Sequence, residues 1–368
     1  MSRSYNVIDS DGHVLEPPTF WTEYIDPEYR ERAPELFVDT DGRERLRIEG
    51  KVFGGPTGLG LVGAIGARQG DTSIRIKYTE GRKGGFDPHA RIPDLDLDGI
   101  DAVFLYPSVG LFVGAIQDPQ LAAAASRAYN RWLADYCQPY PDRLFGVAML
   151  PMQSIDLAIE EMRYARNELG MSSGFLRPNP YNNRMLGHPD YDVFWAEAQE
   201  LDFSIGIHEG TGGMPAVGVD RFESLSAKHM VSHTMEMMLA CLSIIWDGVC
   251  ERFPKVRIGF MESGGGWIAP WLDRMDRHFD DKGLFNDSSL TMRPSEYFQR
   301  HRGQPAASGG LCGADQDSVG DRLPASRRLL PRSAGPDCGE AAARVPTQST
   351  GRRRHAVLWL ELREQDGR

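Results

Sequence analysis

Tyr5-Asn-Val-Ile-Asp-Ser-Asp-Gly-His-Val-Leu-Glu16 is the stretch on which the reading of the chain turns. A strand begins at Val7–Asp9, and at its end stand Asp11 and His13, two positions apart. Side chains at i and i+2 of a strand leave on the same face, so a carboxylate and an imidazole can converge on one cation. Both donors suit zinc, manganese or iron. An Asp-x-His at a strand end also serves as a loop cap, so the pair draws its meaning from the rest of the chain.

That remainder alternates between two patterns. The apolar runs Ala102–Tyr106, Leu144–Leu150, Ser173–Arg177, Phe203–His208 and Val256–Met261 read as strands. The amphipathic segments Pro119–Tyr136, Asp156–Leu169 and Tyr191–Leu201, and a stretch within Ser232–Phe253, read as helices. Repeated strand-then-helix units imply parallel strands with helices outside. Six strands by residue 262 predict an α/β fold, a (β/α)8 TIM-like barrel with two strands still to come; an open doubly wound sheet is the alternative. The connection over residues 14–100 is far longer than usual and predicts a lid or an oligomer arm. Within it, Gly58-Leu-Gly60-Leu-Val-Gly63 has the letters of a dinucleotide fingerprint. It does not open a compact βαβ unit, and it reads as part of a glycine-rich loop.

Barrels place their chemistry where strands end. His208 closes the run Phe203–Ile207 and is a candidate metal ligand. His233 is expected near the start of a long helix, as a general acid/base. Glu262 ends another strand, and Gly264-Gly-Gly266 with Trp267 can wall a pocket for a planar substrate. Arg177 can hold a carboxylate or form a salt bridge across the barrel mouth. His188, His229 and His278 fall in loop or helix-surface contexts and are given no role.

Composition narrows the class. With 368 residues, 41% of them hydrophobic, a net charge of -11 and a pI near 5.4, the chain reads as a cytoplasmic globular protein without a nucleic-acid footprint. Membrane attachment is not expected, since the first strand begins without an apolar leader and no run is long enough to span a bilayer. Five scattered cysteines give no disulfide or metal-knuckle pattern.

Four ordered segments, Ile8-Asp-Ser-Asp-Gly-His13, Gly206-Ile-His-Glu-Gly210, Ser232-His-Thr-Met-Glu236 and Glu251 through Gly264, resemble the amidohydrolase-related family, the branch containing aminocarboxymuconate-semialdehyde and aromatic-acid decarboxylases. The resemblance covers residues 5–301. It implies a barrel with one divalent metal, zinc or manganese, held by Asp11, His13 and His208, with His233 as the catalytic histidine. It also implies a small carboxylated substrate and allows a homodimer for an intact member. The family's first pair is often His-x-His, so Asp11 puts zinc in doubt more than it does a metal.

The family's last ligand, an Asp on strand eight within a segment like Leu-Trp-Ala-Thr-Asp-Tyr-Pro, is not written here. From Arg302 onward the composition changes: 11 Arg, no Lys and one aromatic residue in 67 positions. Shifting the degenerate codons of Gln316–Ala325 by one nucleotide lets them spell Lys-Ile-Leu-Trp-Ala-Thr-Asp-Tyr-Pro. The same shift over His355–Glu361 can spell Met-Arg-Phe-Tyr-Gly-Leu, like the family's usual end. The expectation is therefore a barrel over 1–301 and an out-of-frame tail over 302–368, with strands seven and eight lost. A disordered basic tail is the other reading. The activity implied is metal-dependent, non-oxidative decarboxylation of a small aromatic or unsaturated acid. Hydrolysis of an amide, ester or lactone at the same site, and a catalytically dead barrel, are the rivals.

Overall fold

A computed structural model describes residues 5–55, 58–63, 77–210, 214–281, 286–299 and 358–360. The first strand, β1 (Ile8–His13), leads into the long insertion. That insertion carries an antiparallel sheet of β2 (Glu35–Val38), β3 (Glu44–Ile48) and β4 (Lys51–Phe53). The glycine motif lies just beyond this sheet, where Gly60–Gly63 forms a single helical turn and no βαβ unit.

The main sheet continues with β5 (Ala102–Tyr106), β6 (Leu144–Met149), β7 (Ser173–Leu176), β8 (Ser204–Ile207) and β9 (Ile258–Phe260). Its order is β1-β5-β6-β7-β8-β9, every neighbouring pair parallel. Consecutive parallel strands with helical crossovers make the sheet a curled half-barrel, an incomplete (β/α)8 arrangement. Every residue of β5, β7, β8 and β9 is buried, as strands covered on both faces must be. β10 (Leu358–Leu360) joins the far side of β9 antiparallel. A strand of that direction does not continue a barrel whose strands all run one way. The expected out-of-frame region otherwise lies outside the described residues.

Helices cover the sheet because their apolar positions recur every three or four residues. In Pro119–Cys137 the buried set includes Leu121, Ala125, Ala128 and Trp132, and Asp118 caps the start by accepting from the Gln120 and Leu121 amides. Buried Asn130 on this helix ties helix to strand, exchanging hydrogen bonds with both the amide and the carbonyl of Met149. Inside the barrel the Tyr106 ring lies against His208, and a Cβ at residue 206 would collide with its hydroxyl. Only glycine fits there.

Candidate active site at the strand ends

β1 delivers Asp11 and His13 through a bulge. Its register with β5 runs Asp9↔Val103 and then Gly12↔Leu105, so three steps on one strand answer two on the other. A bulge re-aims side chains at a strand end, and this one replaces the simple alternation expected from sequence. The Asp9 carboxylate accepts the Asp11 amide at 3.0 Å, and Arg91, from the insertion, donates to the His13 carbonyl at 2.8 Å.

His208 comes directly after β8 and meets the β1 pair. Its Nε2 lies 3.0 Å from His13 Nε2 and 3.4 Å from Asp11 Oδ1. The Nδ1 of His13 faces the Pro107 carbonyl at 2.8 Å, and that of His208 faces the Glu209 carbonyl at 2.7 Å. A carbonyl only accepts, so each Nδ1 keeps its proton and each Nε2 turns a lone pair toward the other. Two lone pairs at that distance require a positive charge between them. Burial, helped by the neighbouring His208, pushes the His13 pKa down. Burial acts the same way on His208, but the Asp11 hydrogen bond and the charges of Asp11 and Glu262 outweigh it and raise that pKa. A proton shared there or a bound cation meets the requirement. Two imidazoles with fixed tautomers and a carboxylate also form a fitting donor set for a divalent ion.

Glu262 closes the group from β9. Its φ of 48° is in the left-handed region, uncommon for a side chain of this size, and turns the carboxylate back over the site. The carboxylate stands 3.5 Å from His208 Nε2 and 3.8 Å from His233 Nε2, while the Glu262 amide donates to Asp11 Oδ2 at 3.2 Å.

His233 lies well inside its helix and not near the start, where the sequence pattern predicts it. The helix runs Leu225–Trp246, capped by Ser224, whose hydroxyl accepts from the Ala227 amide at 3.2 Å. His233 therefore sits in the third turn, buried, with Nδ1 3.1 Å from the His229 carbonyl. Burial, with His229 and His208 nearby, pushes its pKa down to about 3. His229, given no role from sequence, stacks on His233 with ring centroids 3.9 Å apart and planes 16° apart. The sequence does carry a signal for it, an i,i+4 histidine pair, but a helix start placed as late as Ser232 hides that spacing.

The other two candidates stand apart from these ligating atoms. Arg177 is buried and forms the salt bridge: its guanidinium donates to Glu209 Oε1 and the Gly210 carbonyl at 2.5 Å each, and to the Leu111 carbonyl at 2.9 Å. The cavity beside it holds about 10 Å³, the room of one water. Trp267 precedes the helix Ile268–Asp280 and meets Phe260 edge-on at 6.3 Å.

A curled parallel sheet with histidines and carboxylates converging beyond its strand ends defines a barrel protein of the metal-site type. The chain belongs to the amidohydrolase family, whose model matches residues 8–330. It is 29% identical over 212 residues to the 2-amino-3-carboxymuconate-6-semialdehyde decarboxylase of Dictyostelium discoideum, a match covering 58% of this chain and 57% of that one. The chain spans about half the length of the curated relatives it matches. Two solved structures share the fold. An amidohydrolase of Mycobacterium avium subsp. paratuberculosis aligns with a TM-score of 0.64 at 20% identity, over 80% of this chain and 81% of that one. A dihydroxybenzoic acid decarboxylase of Polaromonas sp. JS666, solved with manganese and 2-nitroresorcinol, aligns with a TM-score of 0.51 at 23% identity, over 65% and 71%. Among the described residues no helix is long and apolar enough to cross a membrane.

Proposed function

We propose that this chain is the barrel part of a metal-dependent, non-oxidative decarboxylase acting on a small carboxylated aromatic or unsaturated compound, and that its tail from residue 302 is read out of frame. The observation that carries the metal is the facing pair of Nε2 lone pairs on His13 and His208, 3.0 Å apart, with Asp11 alongside. The reaction class rests on the decarboxylases among the relatives. Asp11, His13 and His208 would hold one divalent ion, zinc or manganese. When bound, such an ion supplies positive charge that polarises carboxylate or phenolate oxygen.

The remaining work falls to the chain's own groups. His233, whose Nε2 faces the Glu262 carboxylate at 3.8 Å, would accept at that atom the proton that a substrate hydroxyl or a water gives up. It then returns that proton to the substrate carbon. The bond from this carbon to the carboxylate breaks, its electron pair stays with the carbon to form the new C–H bond, and carbon dioxide departs. Glu262 bridges the histidines and would orient the substrate. Arg177 holds Glu209 and with it the loop after His208, and Trp267 would wall the planar face.

The test uses the gene. Resequencing around codon 301 should reveal a lost or gained nucleotide, and an uninterrupted frame encoding this tail would sink the out-of-frame proposal. The frame-restored protein, given manganese or zinc, should hold one metal per chain and release carbon dioxide from dihydroxybenzoates or related acids. Hydrolysis of amides or lactones without carbon dioxide release would assign the rival activity. The chain as written should show negligible turnover, because two missing barrel strands leave backbone groups unpaired at ~1 to 3 kcal/mol each if buried.

A further inference from the structure

Beyond the decarboxylase assignment, we infer that His229, His233 and Glu262 form a second divalent-cation site, an inhibitory one, which when filled takes His233 out of proton transfer. Three independent features meet there. His229 and His233 are four residues apart on one helix, the spacing at which two imidazoles chelate a single ion from one face. Their rings already stack face to face, 3.9 Å between centroids. Glu262, turned over the site by its left-handed backbone, brings a carboxylate oxygen to 3.8 Å from His233 Nε2. One ligand atom from each of the three residues lies within 4.8 Å of the other two. Ligand atoms around a tetrahedral zinc are roughly 3.3 Å apart, so small side-chain rotations close the set.

The ring contacts agree. His233 Nδ1 is held between the His229 carbonyl at 3.1 Å and the Ser232 hydroxyl at 3.0 Å, which leaves Nε2 as the ring nitrogen that faces Glu262. His13 and His208 are likewise anchored through Nδ1, and an imidazole held by one nitrogen offers the other to a cation. The site differs from the strand-end group in access. His229 is exposed and the Glu262 side chain is 37% exposed, whereas Asp11 and His208 are buried. A cation can therefore enter and leave from solvent. Two imidazoles and a single carboxylate select borderline ions such as zinc, nickel or copper over magnesium or calcium. Occupation uses the His233 lone pair, and a histidine bound to a cation cannot carry a proton at that atom.

The inference rests on the proposed role of His233 for its inhibitory consequence, but not for the site itself. Zinc chloride is the probe, in equilibrium dialysis of the full chain with metal counted by elemental analysis. The wild-type chain should take up one more zinc at high concentration than its His229→Ala variant, which should bind that additional ion at least about 10-fold more weakly. His229 is exposed, so this replacement leaves the fold intact. His208→Ala should lose the other zinc and keep this one, which separates failure of the strand-end site from failure of this site. Equal zinc uptake by wild type and His229→Ala would overturn the inference. In the frame-restored enzyme, excess zinc should depress turnover at least about 10-fold, magnesium should not, and His229→Ala should lift the inhibition. Inhibition unchanged in that variant would refute the regulatory half.

Discussion

Two histidine groups meet at Glu262, and they are built by different means. Asp11, His13 and His208 come from the ends of β1 and β8, strands held in one sheet, and the backbone fixes both rings through the Pro107 and Glu209 carbonyls. His229 and His233 come from one helix, and what relates them is local: four-residue spacing, ring stacking and the His233 Nδ1 contact with the His229 carbonyl. The strand-borne group is preorganised by sheet register, so disturbing it disturbs the fold that shapes it. The helix-borne group is local, half open to solvent, and separable by one replacement.

The sharpest way to break the contrast is to remove a strand-borne ligand. In a frame-restored protein, His208→Ala or His13→Ala should abolish the strand-end metal and most turnover, since a site with so few protein ligands cannot easily spare one. Elemental analysis decides it, and unchanged metal content in both variants would refute the ligand assignment. His233→Asn should behave differently, keeping its strand-end metal while losing ~10²-fold or more in turnover, the scale of a missing acid/base. If the rate holds and only the melting temperature falls, His233 is a packing residue.

The strand-borne group is legible in the sequence because its residues sit at the ends of apolar runs, and run ends survive errors of one or two residues. Even there the geometry is hidden. Asp11 and His13 converge through a bulge at Gly12, where a Cβ would collide with Val103, and nothing in the local letters announces a bulge. The helix-borne group is half legible. Placing the helix start at Ser232 instead of Leu225 cuts His229 off from His233, because Lys228-His-Met-Val231 carries too little apolar periodicity to extend the helix backward by pattern alone. Arg177 can be placed at a strand end, but its commitment to Glu209 depends on how the loop after β8 folds back.

A milder replacement probes what supports the strand-borne group. Gly206→Ala puts a methyl group against the Tyr106 hydroxyl inside the barrel, and Tyr106 in turn lies against His208. Overpacking of this kind costs roughly 1 to 3 kcal/mol, so a lower melting temperature should come with weaker strand-end metal binding. The helix-borne zinc should be unaffected. Loss of stability without any change in metal affinity would mean that Tyr106 fills space beneath the site without shaping it.

The smallest expected effect comes from the insertion. Arg91 reaches from the helix Pro88–Asp98 to the His13 carbonyl at 2.8 Å, and its charge also lowers the pKa of Asp9, which burial raises. Asp9 in turn holds the Asp11 amide. One side chain thus braces both ends of the bulge. Arg91→Ala removes a hydrogen bond worth about 1 kcal/mol and leaves Asp9 less favourably charged, so strand-end metal affinity should fall by about 5- to 10-fold. Arg91→Lys restores charge near Asp9 but not the guanidinium's reach to the carbonyl, and should recover part of the loss. The helix-borne site has no such brace and should keep its zinc affinity in both variants. Zinc titrations against a strong and a weak competing chelator separate the two sites, and an equal loss at both would mean that Arg91 acts on the whole fold and not on the bulge.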